Sequence, residues 1–489
     1  TANTLALINI DQNTTFSGSV EATAINNAAS TTATFSDAVT ANITNSGTLL
    51  FNTSADKSVT GTIVEATGDD TTEIKVIDSA DGAPATVTFT ATIAADTLTV
   101  GTTGKAGAAL FQEAVTVPTI NITGGDVDAE DSTVTFNKAV TSSSGITLDD
   151  NTGDAKVIFA ADNPVDIAST IDGGADDEGT IQVTGATKTF TSTIGGTYDV
   201  GTLNIDNTSI YTGAVTVDNL DIAANKTATF KNNVTLNTSA TINSSATFLV
   251  ASADSAAAIT VDGSVLGASD GVGTVQITNT GGTTFTTTVG SSSYSLALID
   301  IDQNTTFSGS VDAKAINNAA SKTATFSDNV TATITNSGTL LFNATDAKSV
   351  TGTIAEAAGG DTTEIKVINS ANGEAPSVVT FTGTVAADTL TIGTTTHGGA
   401  ALFADDVTVP AINITGGDVD AEDSTATFNT AVTATTIVLN DQTGDAKMVF
   451  ATATESTIAG TIRGHADDEG TIQVTETEAT KTFSGTIGA

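Results

Sequence analysis

Phenylalanine recurs along this chain inside one short phrase, and the spacing of that phrase limits the possible folds more than any other feature. The phrase is an aromatic residue, three small or polar residues and a β-branched residue: FSGSV at Phe16, FSDAV at Phe35, FTATI at Phe89, FQEAV at Phe111, FNKAV at Phe136 and FTSTI at Phe190. It continues as YTGAV at Tyr211, FKNNV at Phe230 and FTTTV at Phe285, then at Phe307, Phe326, Phe381, Phe403, Phe428 and Phe483. Neighbouring aromatic positions lie 16 to 25 residues apart, with a longer gap after each run. Phe89, Phe190, Phe285, Phe381 and Phe483 close a larger phrase at separations of 101, 95, 96 and 102. These divide the chain into five units: 1–97, 98–198, 199–293, 294–389 and 390–489. The ten letters DQNTTFSGSV at 11–20 return unchanged at 302–311, a distance of 291 residues, or three units.

The longer gap in each unit holds a different phrase, TTEIKVID near Ile74, with counterparts at Ile181, Val275, Ile365 and Ile472. Counted as a turn of its own, it gives five turns of roughly 20 residues per unit, or about twenty-five in all. Within a turn, apolar and polar residues alternate, as in TATFSDAVTANIT, and Gly, Asn and Asp punctuate the ends. A coil of two or three short strands cannot bury its inner face alone, but stacked coils pile Phe, Val and Ile along one axis. The period therefore predicts an all-β, right-handed parallel β-solenoid, with each Phe on a Phe or Val of the next turn. Twenty-five turns would form a rod on the order of 120 Å long. The rival reading is five tandem immunoglobulin-like β-sandwiches, but such a core needs no period of about 20 residues inside it.

The net charge of −41 comes from missing bases: 56 Asp and Glu are an ordinary share of 489 residues, whereas Lys and Arg number only 15. So few bases argue against nucleic acid and anionic lipid as partners. The balance favours solubility, repulsion between copies, and attraction of cations such as Ca²⁺. There is no cysteine, so no disulfide or thiol chemistry. No apolar run is long enough to insert as a membrane helix. The opening TANTLALINI lacks the charged start and apolar core of a signal peptide, as expected if a leader is removed or a longer protein precedes it.

Catalytic chemistry finds little to work with. The two histidines, His397 and His465, stand where the matching copies have Lys105 and Gly174, and Arg463 is the only arginine. No nucleophile, base and orienting acid recur together, so the chain is not read as an enzyme. The acidic phrases carry more. GGDVDAEDST offers Asp126, Asp128, Glu130 and Asp131, and its copy offers Asp418, Asp420, Glu422 and Asp423. Alternation on a strand would put Asp126, Asp128 and Glu130 on one face, and Asp126, Asp128, Asp131, Asp418, Asp420 and Asp423 are the candidate Ca²⁺ ligands after the Gly-Gly turn. A second pair, GGADDEGT and HADDEGT, adds Asp176, Asp177, Asp467 and Asp468 in turns between strands. Neither matches a calcium β-roll or an EF-hand loop, and a solvated acidic turn is the plain alternative. Asn-rich turns are candidates for side-chain ladders along the stack.

The order GTIQVTGATKTFTSTIGG, VGTLNIDN, FKNNVTLNTSATI resembles passenger regions of bacterial surface antigens, the autotransporter type included. The resemblance is one of style and period over nearly the whole chain. It implies export, display at the cell surface or outside the cell, and use as a coat, adhesin or fibre. TKTFSGTIGA stops where TKTFTSTIGG runs on into TYDVGTLNID, as in a segment of a longer array. The expected function is an exported structural protein that assembles with copies of itself into a surface layer or filament. The alternative is an adhesin stalk or phage tail-fibre shaft carrying a tip that binds a surface glycan or receptor.

Overall fold

The computed structural model describes residues 4–67, 71–78, 80, 82–253, 257–358, 362–369, 373–451, 455–475 and 480–488. These residues form strands, turns and bends, with no helix among them. The chain divides into two compact units, Thr1–Thr241 and Ile242–Ala489. Each is a parallel β-solenoid, and together they hold about 20 turns.

In the first unit each turn contributes to three faces. The first face stacks Thr14–Phe16, Thr32–Phe35, Thr48–Thr53, Glu73–Asp78, Thr97–Val100, Thr119–Thr123, Gly145–Asp149 and Ile171–Gly173 in one ladder. The second begins with Val20, Val39 and Val59 in register, then stacks Thr86–Phe89, Ala108–Phe111, Ser132–Phe136, Ala155–Phe159 and Glu178–Val183. The third carries Ile25, Ile43, Ile63, Ile93, Val115 and Val140, and later Val165–Ile167, Lys188–Phe190, Ser209–Tyr211 and Thr227–Phe230. All these pairings are parallel, which rules out tandem antiparallel sandwiches. Strand alternation sets the inside: Thr32–Phe35, Thr86–Phe89 and Thr97–Val100 each bury every second side chain.

The aromatic rings form a ladder that changes face. Phe16, Phe35 and Phe51 stack on the first face, with centroids 5.2 and 5.5 Å apart. Phe89, Phe111, Phe136 and Phe159 stack on the second, and Phe190, Tyr211 and Phe230 on the third. At each change the rings meet edge to face, Phe51 with Phe89 at 89° and Phe159 with Phe190 at 83°. The second unit repeats the device: Phe285, Phe307, Phe326 and Phe342 stack, then Phe381, Phe403, Phe428 and Phe450. The changes there, Phe342 to Phe381 and Phe450 to Phe483, lie at 89° and 84°. Offset stacks and perpendicular pairs are the two favoured aromatic geometries, so the rings stay in contact through these four steps.

This explains why about 20 turns replace the expected twenty-five. The TTEIKVID strand is not a separate turn. Its Val76 lies over Phe51 on the first face, and Phe89 of the same turn lies over Val59 on the second. The long gap between aromatic phrases is one turn in which the ring moves to the next face.

A short polar ladder runs inside the apolar one. Asn27 and Asn45 are buried, and Asn27 Nδ2 donates to Asn45 Oδ1 at 2.8 Å. Asn45 Nδ2 in turn donates to the carbonyl of Gly47 at 2.8 Å. Asn318 and Asn336 repeat the pair at 2.8 Å. The expected asparagine ladder exists as these pairs, satisfying turn backbone that would otherwise be buried unpaired.

Candidate functional site

The acidic phrases occupy turns whose shape is set by glycine and by one inward carboxylate. Loop 124–132 joins the first face to the second. A Cβ on Gly124 would lie 1.6 Å from the Gly153 carbonyl oxygen, and one on Gly125 would lie 2.2 Å from Glu130 Oε2, so both positions admit only glycine. Gly125 donates its N–H to the Glu130 carbonyl at 2.8 Å, closing the loop. Ser132 locks its far end: Oγ donates to the Thr123 carbonyl at 2.5 Å and accepts the Gly107 N–H at 3.0 Å. Ser424 does the same with Thr415 and Gly399.

Asp126, Asp128 and Glu130 therefore do not share one face of a strand. The expected alternation fails because residues 126–131 form bends and a turn. Glu130 points inward and is buried, while Asp126, Asp128 and Asp131 are exposed. Glu130 Oε2 accepts the Asp126 N–H at 3.2 Å, and its Oε1 lies 3.6 Å from Lys105 Nζ. In the second copy Asp418, Asp420 and Asp423 are exposed and Glu422 is buried. Glu422 Oε1 accepts the Gly373 N–H at 2.6 Å, while Oε2 is buried without a hydrogen-bond donor. His397 stands in place of Lys105, its Nδ1 2.9 Å from Thr396 Oγ1.

The exposed acids also tie one turn to the next. Asp131 Oδ1 accepts the Asp154 N–H at 3.0 Å, and Asp423 Oδ1 accepts that of Asp445 at 2.8 Å. Asp150 accepts the N–H of Ala155 at 2.6 Å and of Gly179, 29 residues on, at 2.8 Å; Asp441 repeats this with Ala446 and Gly470. Carboxylates that accept backbone N–H groups cap turns whose donors would otherwise be unpaired. Sequence reasoning missed this role for Asp150 and Asp441, although both follow a strand and precede a Gly-Asp turn. Asp154, closed in by burial and then by the charges of Asp150, Asp131 and Asp128, is held above the usual carboxylate range.

The second acidic pair lies in tight turns. Asp177 and Asp468 take left-handed backbone, φ 70° and 64°. Glu178 Oε2 accepts the Ala175 N–H and Glu469 Oε2 the Ala466 N–H, each at 2.9 Å. Asp176 and Asp177 are exposed. Asp177 is pushed up by a carboxyl contact with Asp218 and by that neighbour's charge. Asp218 was not expected in this cluster; it comes from the strand Val215–Ile222 two turns on. Asp467 and Asp468 line a shallow depression with Arg463, His465 and Glu469. Among the described residues no three His, Asp or Glu side chains converge as a metal cage. The candidate Ca²⁺ ligands are thus spread over exposed turns.

No protein-family model, curated protein or solved structure matches this sequence.

Proposed function

We propose that this chain is an exported structural repeat protein that binds copies of itself to build a cell-surface layer or extracellular filament. The observation that carries the reading is repetition of exposed surface as well as of core. Loops 124–132 and 416–424 share the same glycines, the same inward glutamate and the same three outward aspartates. Stacking alone would copy the buried Phe and Val positions; copying the outward loop gives one molecule two equivalent contact patches. The likeness of the repeat phrases to surface-antigen and autotransporter passengers supports display outside the cell.

With a net charge of −41, copies repel one another. Ca²⁺ is the proposed bridge. Asp126, Asp128 and Asp131 of one molecule and Asp418, Asp420 and Asp423 of another would supply hard oxygen ligands that neither loop gathers alone. Asp176, Asp177, Asp467 and Asp468 would serve in the same way.

Electron microscopy of the purified chain, in millimolar Ca²⁺ and then in chelator, tests this. Ordered sheets or filaments that dissolve on chelation are expected. Single particles in both conditions would overturn the assembly reading and favour a stalk or fibre shaft.

A further inference from the structure

Glu130 and Glu422 hold the same place in two copies of one loop, and both are buried, with exposures of 1% and 0%. A carboxylate taken out of water needs a counter-charge and hydrogen-bond donors. Glu130 has both. Its Oε1 lies 3.6 Å from the ammonium of Lys105, which reaches in from the turn 102–105, and its Oε2 accepts the Asp126 N–H. Glu422 is served differently. His397 stands at the lysine's place, and the Gly373 N–H, 2.6 Å from Oε1, is the one hydrogen bond the carboxylate receives among the described residues. Its Oε2 is buried with no donor.

The backbone around the two carboxylates is built alike. Thr394 donates its N–H to the His397 carbonyl at 2.7 Å, as Thr102 does to that of Lys105 at 2.7 Å. Gly417 packs on Glu422 Oε2 as Gly125 packs on Glu130 Oε2, and a Cβ on either glycine would strike it. Gly398, next to His397, lies against the Glu422 backbone, where a Cβ would come 2.7 Å from the carbonyl oxygen. The copies therefore differ in chemistry at one position: lysine brings a permanent cation to the carboxylate, and a neutral imidazole brings a ligand nitrogen. His397 Nδ1 lies 2.9 Å from Thr396 Oγ1. In the tautomer that gives Nδ1–H to that oxygen, Nε2 keeps the lone pair that a metal ion takes.

We propose that Glu422 and His397 bind a divalent transition-metal ion, through one carboxylate oxygen and one imidazole nitrogen, at the position the Lys105 ammonium fills in the first copy. The ion supplies the positive charge that the buried Glu422 lacks from its own chain. Zn²⁺ belongs to this class and serves as the probe, whereas Ca²⁺ takes oxygen ligands. The Lys105 side chain is 33% exposed, so the position it fills is within reach of solvent. Two protein groups hold the ion and water completes its shell, which makes the site weak and exchangeable. It lies within one molecule and stands whether or not copies assemble.

The test follows the unfolding midpoint of the chain, purified without a histidine tag, in chelator and at rising Zn²⁺ concentration. The midpoint should climb with the logarithm of the Zn²⁺ concentration, as for any ligand that binds the folded state alone. His397→Lys restores the residue of the first copy and so keeps the fold. It should be more stable than the parent in chelator and should lose the Zn²⁺ response. Glu422→Gln should lose the response as well, while His465→Ala, at the only other histidine, should keep it. A parent midpoint that Zn²⁺ does not move would overturn the proposal, as would a response that survives in His397→Lys. A response lost in His465→Ala would place the ion at the other histidine and overturn it too. Equal midpoints for the parent and His397→Lys in chelator would remove the uncompensated charge on which the site rests.

Discussion

Phe51 and Phe89 meet edge to face, 5.2 Å apart and at 89°, although their strands belong to different ladders. Phe51 is in register with Val76 and Phe89 with Val59. The ring contact therefore joins two faces of the coil, where backbone hydrogen bonds join turns only within a face. Stability should depend on these rings one turn at a time, because each turn touches only its neighbours.

Phe111 tests that dependence. It is buried between Phe89 at 4.8 Å and Phe136 at 5.5 Å. Phe111→Ala should cost about 3–5 kcal/mol in denaturant unfolding, and Phe111→Leu clearly less. Hydrogen exchange should rise in the turns of Phe89 and Phe136 and stay unchanged in those of Phe16 and Phe230. Uniform acceleration would show that the first unit unfolds as one block.

The two asparagine pairs differ at one neighbour. Thr31 Oγ1 donates to Asn27 Oδ1 at 2.8 Å, whereas Lys322 stands in that place in the copy and Asn318 Oδ1 is buried without a donor. Lys322→Thr should restore the bond and stabilise the protein by about 1 kcal/mol. The bond it gives up, Lys322 Nζ to Gln303 Oε1 at 2.8 Å, is nearer the surface. A lower unfolding midpoint in the variant would sink this account.

Lys188 is fully buried, and its ammonium donates to the carbonyls of Ala161, Thr184 and Ala186. Lys188→Met keeps the stem but leaves these acceptors without the donor. A loss of about 2 kcal/mol or more is expected in equilibrium unfolding. A neutral result would mean that water takes the ammonium's place.

Asp218 holds Asp177 above the ordinary carboxylate value. A folded-state pKa above the unfolded one means the folded state binds that proton more tightly. Its stabilising share is present below the unfolded value and is lost as pH rises through the folded one. Asp218→Asn should raise the unfolding midpoint at pH 7 and flatten its dependence between pH 7 and about pH 4. Equal slopes for both proteins would remove Asp218 as the cause.

Much of the fold was legible because its signals are local and repeated. Alternation in TATFSDAVTANIT placed Phe35, Val39 and Ile43 inside, where all three are buried, and the Phe phrase gave the stacking partners directly. The strand of Ile74 was misread as a turn of its own, since a spacing does not say which face a strand joins. The acidic loop was misread for a different reason. Asp126, Asp128 and Glu130 alternate like a strand, but the loop turns, with Gly124 against the Gly153 carbonyl and Gly125 bonded to the Glu130 carbonyl, and Glu130 goes inward. The caps made by Asp150 and Asp441 carry a local signal only in their bonds to Ala155 and Ala446; their second partners, Gly179 and Gly470, lie 29 residues away on the next turn. Asp218 joined Asp177 for the same reason, through stacking and not through sequence.

The migration of the aromatic ladder bears on how such a gene can lengthen. A coil with three faces brings the rings back to their starting face only after three changes. Duplicating the stretch between two changes would set phenylalanine over a column built for valine, and every later turn would inherit the misfit. The shortest insertion that leaves all three columns in phase is a full circuit. Letter-for-letter repetition over ten residues falls at 291 in DQNTTFSGSV and at 292 in GGDVDAEDST, while the shorter period survives only as a loose phrase. Recombination therefore has a natural quantum here, fixed by the number of sides of the coil.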